Sequence, residues 1–286
     1  MVRFGGARHE VTVEGGTFAY LDAGERGAPV ALCLHGFPDH PRSFEPILGA
    51  LLSAGYRVVA PWIRGYRPSV CTGPYDPARL GRDAVELAAA FADGGKVLLV
   101  GHDWGAVAGW YAAARAPDRI AALVALAVPH PHAFLRNLRR HPQQLMRSWY
   151  VGFFQLPWLP ERLLAAHDFA AVDRLYRAST VPPGRPLPYL DELVETLRRS
   201  MPGPLGPYRA LPRGKAPRAL VVRVPTLYLA GGHDPAVAVE MAEGQARYVE
   251  ATFESQVFEN AGHFLHHDLP AEVGERIVRF ARRWAR

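Results

Sequence analysis

The sequence has few cysteines and no long uninterrupted apolar run. Its 286 residues include only two cysteines, so neither a disulfide framework nor a cysteine-based metal site is expected. No apolar stretch approaches the roughly 18 residues of a membrane-spanning helix. The first residues also lack the apolar core of a secretory signal. These absences predict a cytoplasmic protein with no membrane span.

A concentrated basic stripe is also missing, although the formal net charge is +6. The arginines form only small clusters, as at 136–140 and 282–286, whereas a nucleic-acid-binding protein usually concentrates them on one face. We therefore expect no nucleic-acid partner and assign the charge to a solvated surface. With 49% hydrophobic and 21% charged residues, the chain can bury a globular core.

Apolar runs alternate with helical patterns in two parts of the chain, residues 1–130 and 218–286. This alternation predicts an α/β core, a mostly parallel eight-stranded sheet flanked by helices on both faces. Strands are predicted at 9–13, 17–21, 30–34, 56–60, 96–100, 120–128, 223–230 and 251–258. Helices are predicted at 43–53, 76–92 and 107–115, and a last one begins near 268.

Residues 131–217 interrupt this alternation. The segment is rich in proline and arginine, has several short helical stretches and contains no strong strand pattern. A disordered insertion is the alternative, but Trp149, Phe153, Phe154 and Trp158 supply too much apolar surface for it. We predict an inserted helical cap (lid) domain between the two parts of the core.

The stretch Gly101-His102-Asp103-Trp104-Gly105 joins a predicted buried strand to an Ala-rich helix. Small residues on both sides permit a sharp turn with Asp103 at its tip. The pattern is a nucleophile elbow, G-x-S-x-G, with aspartate in the serine position. The alternative is that Asp103 only caps the following helix.

Two more candidates follow later strands. Asp234 lies after Gly231-Gly232-His233, and His263 lies in Asn260-Ala261-Gly262-His263. Each is an ordinary turn residue when taken alone. Nucleophile, acid and histidine in this chain order, each after its own strand, predict a catalytic triad of Asp103, Asp234 and His263.

With these motifs, the chain resembles the α/β-hydrolase superfamily and, within it, the epoxide hydrolases. The matching core stretches are 35–38, 64–66, 101–105, 232–234 and 261–264, which dehalogenases share. In the cap, 148–155 and 203–209 are similar to the segments that carry the two lid tyrosines of epoxide hydrolases. The resemblance implies that Tyr150 and Tyr208 form the ring-opening pair. Pro68 and Pro207 depart from the family's pattern, which affects the shape of the pocket more than the reaction.

The residue types suit hydrolysis of an epoxide to a vicinal diol through a covalent ester. A carboxylate is ionised near neutral pH and needs no base for its first attack. Two phenols can protonate the alkoxide that leaves. His263, oriented by Asp234, would then activate water, and the backbone N–H groups of Phe37 and Trp104 would form the oxyanion hole. A cis Phe37–Pro38 bond is expected to aim the first of these.

The remaining site predictions concern ligands and partners. The expected substrate is an apolar epoxide, with water, contacted by Phe37, Trp104, Trp149 and Phe154. No metal or cofactor is predicted, because no His pair shows ligand spacing with a third partner. The histidines His102, His233, His266 and His267 are interpreted as structural or solvated. The sequence leaves a homodimer open.

Two other functions remain as alternatives. A hydrolytic dehalogenase would also use Asp103 as nucleophile. However, haloalkane dehalogenases place a side-chain N–H donor at the position of Phe37, and fluoroacetate-type enzymes place an arginine at the position of Trp104. A non-catalytic protein of the same fold, acting as a ligand sensor, is the other alternative, although all three triad residues are present.

Overall fold

A computed structural model gives the fold for residues 2–211 and 220–285. Its centre is one eight-stranded sheet with the order β1-β2-β4-β3-β5-β6-β7-β8. Pairs β1–β2 and β2–β4 are antiparallel and all others are parallel, which confirms the predicted sheet. The strands are β1 His9–Val13, β2 Gly16–Ala23, β3 Val30–Leu34, β4 Arg57–Pro61, β5 Val97–His102, β6 Ile120–Leu126, β7 Thr226–Gly231 and β8 Phe253–Phe258.

The central strands are buried along their whole length. Every residue of β3, β5 and β7 is buried, as expected for strands covered by helices on both faces. The core helices are α1 Glu45–Ser53, α2 Pro77–Phe91, α3 Trp104–Arg115, α10 Leu265–Asp268 and α11 Pro270–Trp284. Helices α2 and α3 pack against each other, and α1 packs against α11.

The segment between β6 and β7 forms the cap. Its helices are α4 Pro131–Leu138, α5 Gln143–Arg147, α6 Trp149–Phe153, α7 Leu159–Ala178, α8 Leu190–Ser200 and α9 Gly206–Ala210. Within α7, residues 166–169 depart from helical dihedral angles. The described part of the cap, 131–211, contains no strand, and the predicted cap boundary at 217 lies outside the described residues. None of the described helices is long and apolar enough to cross a bilayer.

The strands place the predicted site residues at one edge of the sheet. Asp103 follows β5, Asp234 comes after β7 and His263 after β8. The 35–38 turn follows β3, which pairs directly with β5. Because the carboxyl ends of parallel strands meet at the same edge, residues far apart in sequence converge there, as ligand sites of open α/β sheets do.

Candidate active site

Asp103 occupies the tip of a strained turn between β5 and α3. Its φ and ψ are 52° and −118°, in a region that non-glycine residues rarely adopt. Only glycine fits at two positions beside the turn. A Cβ on Gly36 would overlap the Asp103 carboxylate, and a Cβ on Gly105 would overlap the Leu34 carbonyl. The elbow predicted from the glycine spacing is therefore present, with a largely buried carboxylate, 14% exposed, at its tip.

The Asp103 side chain makes no capping hydrogen bond to α3, which argues against its being a simple helix cap. Instead its Oδ1 accepts a hydrogen bond of 2.8 Å from the N–H of Phe37. The backbone N–H of Trp104, the first residue of α3, lies near enough to act on the charge of the carboxylate. Burial raises the pKa of Asp103, while His263 and these two N–H groups oppose the rise. The Phe37–Pro38 bond is cis, as expected.

His263 and Asp234 form a buried pair. The His263 Nδ1–H donates to Asp234 Oδ2 over 2.7 Å, and the side chains are 7% and 2% exposed. The other carboxylate oxygen, Oδ1, accepts from the N–H groups of Ala236 and Val237 at 2.7 and 3.0 Å. Burial disfavours the imidazolium, but the charge and hydrogen bond of Asp234 outweigh it, so the pKa of His263 rises to about 9.

The second ring nitrogen of His263 faces the elbow. Nε2 lies 3.8 Å from Asp103 Oδ2, the oxygen that the Phe37 N–H does not hold. This separation is too long for a direct hydrogen bond. Since Nδ1–H is committed to Asp234, the neutral ring presents an Nε2 lone pair toward Asp103, where it can accept a proton.

The two cap tyrosines meet above the elbow. The ring of Tyr208 lies 5.4 Å from that of Phe37 and 5.0 Å from that of Trp104, both edge to face. The Tyr150 ring lies 5.8 Å from Tyr208. Phe154 closes the cluster at 5.0 Å from Tyr208. Phe37 therefore holds the Asp103 carboxylate with its backbone N–H and, together with Trp104, supports Tyr208 with its ring.

Burial and charge keep both tyrosines protonated. Burial raises the pKa of the Tyr150 and Tyr208 hydroxyls, and the negative charge of Asp103 raises each further. That Asp103 acts on both hydroxyls indicates that the two phenols share its electrostatic environment. A phenol that stays neutral near pH 7 can donate a hydrogen bond or a proton to a developing anion.

Gln155 joins the two tyrosine segments, a role that the sequence did not reveal. Its amide Nε2 donates to the Val151 carbonyl of α6 at 3.0 Å and to the Tyr208 carbonyl of α9 at 2.9 Å. Arg209 adds a second link, from its side chain to the carbonyls of Phe154 and Leu156. The matched stretch 148–155 included Gln155, but its partner lies 53 residues away and no local pattern points to it.

We expect Gln155→Leu to slow the tyrosine-dependent step. The substitution removes both amide hydrogen bonds and leaves the Tyr208 carbonyl with only the long 3.3 Å bond from the Leu211 N–H, so α9 can shift relative to α6. Displacement of a reacting group by about 1 Å can cost about 10²-fold in rate. Rapid-quench measurement of ester formation should show a fall of about ten- to 100-fold, with ester breakdown little changed.

The matched control for this experiment is Gln143→Leu, an exposed glutamine on α5 that makes none of these bonds. Equal loss in both variants would mean that the effect is general destabilisation of the cap. An unchanged rate in Gln155→Leu would show that the amide does not position Tyr208.

The predicted substrate-contacting aromatics differ in exposure. Phe37, Trp104 and Phe154 are buried beside the tyrosines. Trp149, by contrast, is 66% exposed and its ring lies against Phe153, 5.8 Å away. A direct contact between Trp149 and substrate stays a prediction.

A buried histidine cluster supports the backbone of His263. The His102 Nε2–H donates to the His263 carbonyl over 3.0 Å, and His266 Nε2 lies 2.9 Å from the Ser43 hydroxyl. His102, His266 and His267 are all buried, so the structural interpretation fits them, whereas His233 is exposed.

The same cluster holds one grouping with metal-type ligand atoms among the described residues. One such atom from each of Asp39, His102 and His266 lies within 4.8 Å of the others. Asp39 Oδ2 and His102 Nδ1 are 3.6 Å apart, beyond hydrogen-bond range. The expectation that the protein uses no metal stays a prediction.

Comparison with known proteins identifies the family of the chain. Residues 31–276 match the model of the alpha/beta hydrolase family. Human epoxide hydrolase 4 is 33% identical over 279 residues, covering 92% of this chain and 75% of that protein. Epoxide hydrolase A of Mycobacterium tuberculosis is 30% identical, covering 94% of this chain and 95% of the relative.

A solved structure is similar over the same length. That of epoxide hydrolase A from Mycobacterium thermoresistibile superimposes with a TM-score of 0.81 at 28% identity, covering 96% of this chain and 98% of that one. The chain is therefore a member of the alpha/beta hydrolase family. Within that family it belongs with the epoxide hydrolases.

Proposed function

We propose that this protein hydrolyses an apolar epoxide to a vicinal diol through an ester on Asp103. The observation that carries the proposal is the meeting of one largely buried carboxylate, 14% exposed, with one buried and one partly buried phenol. A carboxylate can displace a leaving group at saturated carbon, and phenols can protonate the oxygen that leaves. A strained three-membered ether provides both the carbon and the oxygen. The His263–Asp234 pair lies beside Asp103 and would activate the water that hydrolyses the ester.

Ring opening would use the free carboxylate oxygen. Asp103 Oδ2 attacks a ring carbon, the carbon–oxygen bond breaks, and its electron pair stays on the oxygen as an alkoxide. One tyrosine transfers its proton to the alkoxide while the other donates a hydrogen bond. Oδ1 keeps its hydrogen bond from the Phe37 N–H and becomes the ester carbonyl oxygen, with the Trp104 N–H as the proposed second donor.

Ester hydrolysis would use the same oxyanion hole. His263 Nε2 takes a proton from water, and the hydroxide adds to the carbonyl carbon of Asp103. The negative charge then develops on Oδ1, which the Phe37 N–H already holds and which the Trp104 N–H is proposed to stabilise as the second donor. Asp234 stabilises the imidazolium, which returns its proton to the diol oxygen as the ester bond breaks. Asp103 is then released as the neutral acid, and its proton passes to the tyrosinate left by ring opening, which restores the starting state.

The pH dependence of the two steps should differ. In the free enzyme the pKa of His263 is about 9, raised in part by the Asp103 charge. Ester formation removes that charge, so the pKa of His263 falls and the ring becomes neutral and able to act as base. Ester hydrolysis should therefore slow about tenfold per pH unit below this lowered pKa and level off above it. Stopped-flow tryptophan fluorescence can follow the step, and a hydrolysis rate that does not change with pH would contradict the proposal.

Heavy-oxygen water tests the ester directly. In a single turnover with enzyme in excess, the first diol should carry no solvent label, because its new oxygen comes from Asp103. The label should instead appear in the peptide that contains Asp103. A labelled first diol would mean direct attack by water. Halide release from chlorinated substrates without any epoxide turnover would assign the dehalogenase function instead.

A further inference from the structure

A cavity of about 450 Å³ lies between the cap and the core, on the far side of the helix that carries Tyr208. Gly206 and Ala210 of α9 line it, and Tyr208 lies two residues from each, about 200° away around the helix. Tyr208 instead packs its ring on Phe37 and Trp104. The cavity is therefore separate from the catalytic site, and its volume is in the range of small-molecule sites.

The charged residues that line the cavity are all arginines. Among the described residues they are Arg67, Arg199 and Arg209, and no aspartate or glutamate joins them. Arg209 pairs with Glu161 at 2.7 Å and Arg199 with Glu195 at 2.5 Å, so carboxylates outside the lining balance two of the charges.

Arg67 is the third arginine of the lining, and no carboxylate of the described residues balances its charge. Its backbone N–H donates to the Ser200 hydroxyl over 2.8 Å, which ties this core loop to the end of α8. Its guanidinium is exposed and makes no ion pair with any described residue. A single free guanidinium matches one carboxylate, whose two oxygens it can bind in parallel. The same guanidinium would neutralise only half of the charge of a dianion.

The rest of the lining is largely apolar. Tyr75 places its ring against Gly206, where a Cβ would overlap the ring, and Met201 and Pro202 lie on the cap side. We propose that the cavity binds a small amphiphilic carboxylate, with its charged group on Arg67 and its apolar body against Tyr75 and Met201. Such a ligand would contact core and cap together.

Cys71 makes occupancy of this cavity measurable without any assay of turnover. Cys71 lines the cavity and is partly exposed, whereas the only other cysteine, Cys33, is completely buried in β3. The rate of thiol alkylation therefore reports on the cavity, and a Cys71→Ser variant verifies the labelled residue. The probe is octanoate, with 1-octanol as its uncharged counterpart.

We expect octanoate, but not octanol, to slow alkylation of Cys71 in the wild-type protein. Arg67→Gln should weaken this protection about tenfold or more in octanoate concentration, as loss of a charged hydrogen-bond partner does. Arg67 also acts on the Cys71 thiol, so rates with and without octanoate are compared within each variant. The control Arg115→Gln, an exposed arginine at the end of α3, should keep full protection.

Three outcomes would overturn the proposal. They are no protection of wild-type Cys71, equal protection by octanol, and protection that survives Arg67→Gln unchanged. Octanoate that competes with epoxide without slowing alkylation would place the ligand in the catalytic site, which also overturns it. Because alkylation needs no turnover, these results are independent of whether the proposed reaction is correct.

Discussion

Replacement of His263 with glutamine is expected to leave the enzyme alkylated on Asp103 after a single ring-opening step. Ring opening uses Asp103 and the cap tyrosines, so it should still proceed. Ester hydrolysis needs the Nε2 base, and loss of a positioned general base typically costs about 10²- to 10⁴-fold. Intact-mass measurement after mixing with an epoxide should show an added mass equal to the whole substrate, located on the peptide that contains Asp103.

The control for this experiment is His233→Gln, an exposed histidine next to Asp234 in the chain. It should turn over normally and show no stable adduct. Asp103→Asn, combined with His263→Gln, should abolish the adduct because the amide is a poor nucleophile. If the single His263→Gln variant forms no adduct with a substrate that the wild type hydrolyses, the order of steps proposed here is wrong.

Much of the core architecture can be predicted from local sequence signals. The wholly apolar run at β3 and the similar runs at β5 and β7 are what a strand buried on both faces requires. At α2, Asp76 and Pro77 define the helix start, and the Asp76 side chain does accept from the Arg79 N–H over 3.1 Å. Each signal lies within a few residues of the feature that it predicts.

The support of the site is not predictable in this way. Gln155 bonds a carbonyl 53 residues away, and His102 bonds the carbonyl of His263, 161 residues away. Backbone carbonyls are present at every residue and leave no mark on the sequence. The exposure of Trp149 is equally hard to predict from the sequence, because it depends on which face of α6 the rest of the cap covers. Composition alone predicted only that the cap is apolar.

Because of this packing, a substitution where the cap contacts the core affects residues of both parts. Phe37 holds the Asp103 carboxylate with its backbone N–H, and its ring packs against that of Tyr208, as the Trp104 ring also does. A change in Phe37 would therefore move Asp103 and Tyr208 together. Tyrosine hydroxyls can be removed without disturbing these contacts, since phenylalanine keeps the ring.

Removing both cap hydroxyls is expected to nearly abolish ester formation. A phenol that protonates the leaving oxygen contributes about 10²- to 10⁴-fold, and in Tyr150→Phe plus Tyr208→Phe no phenol remains for that task. Each single variant should lose less, because the remaining tyrosine can take over part of the role. Tyr208→Phe should be the more severe, since Tyr208 is only 5% exposed whereas Tyr150 is partly exposed, so water can replace the Tyr208 hydroxyl less easily.

Rapid-quench measurement separates the two steps in these variants. Ester formation should fall by about 10³-fold or more in the double variant. Hydrolysis of any ester that forms should stay near the wild-type rate, because that step uses His263 and Asp234. Tyr111→Phe, a partly buried tyrosine on α3 away from the cap pair, is the matched control and should leave both rates unchanged. Ester formation at the wild-type rate in the double variant would remove the tyrosines from the mechanism and return the choice of leaving group to the dehalogenase alternative.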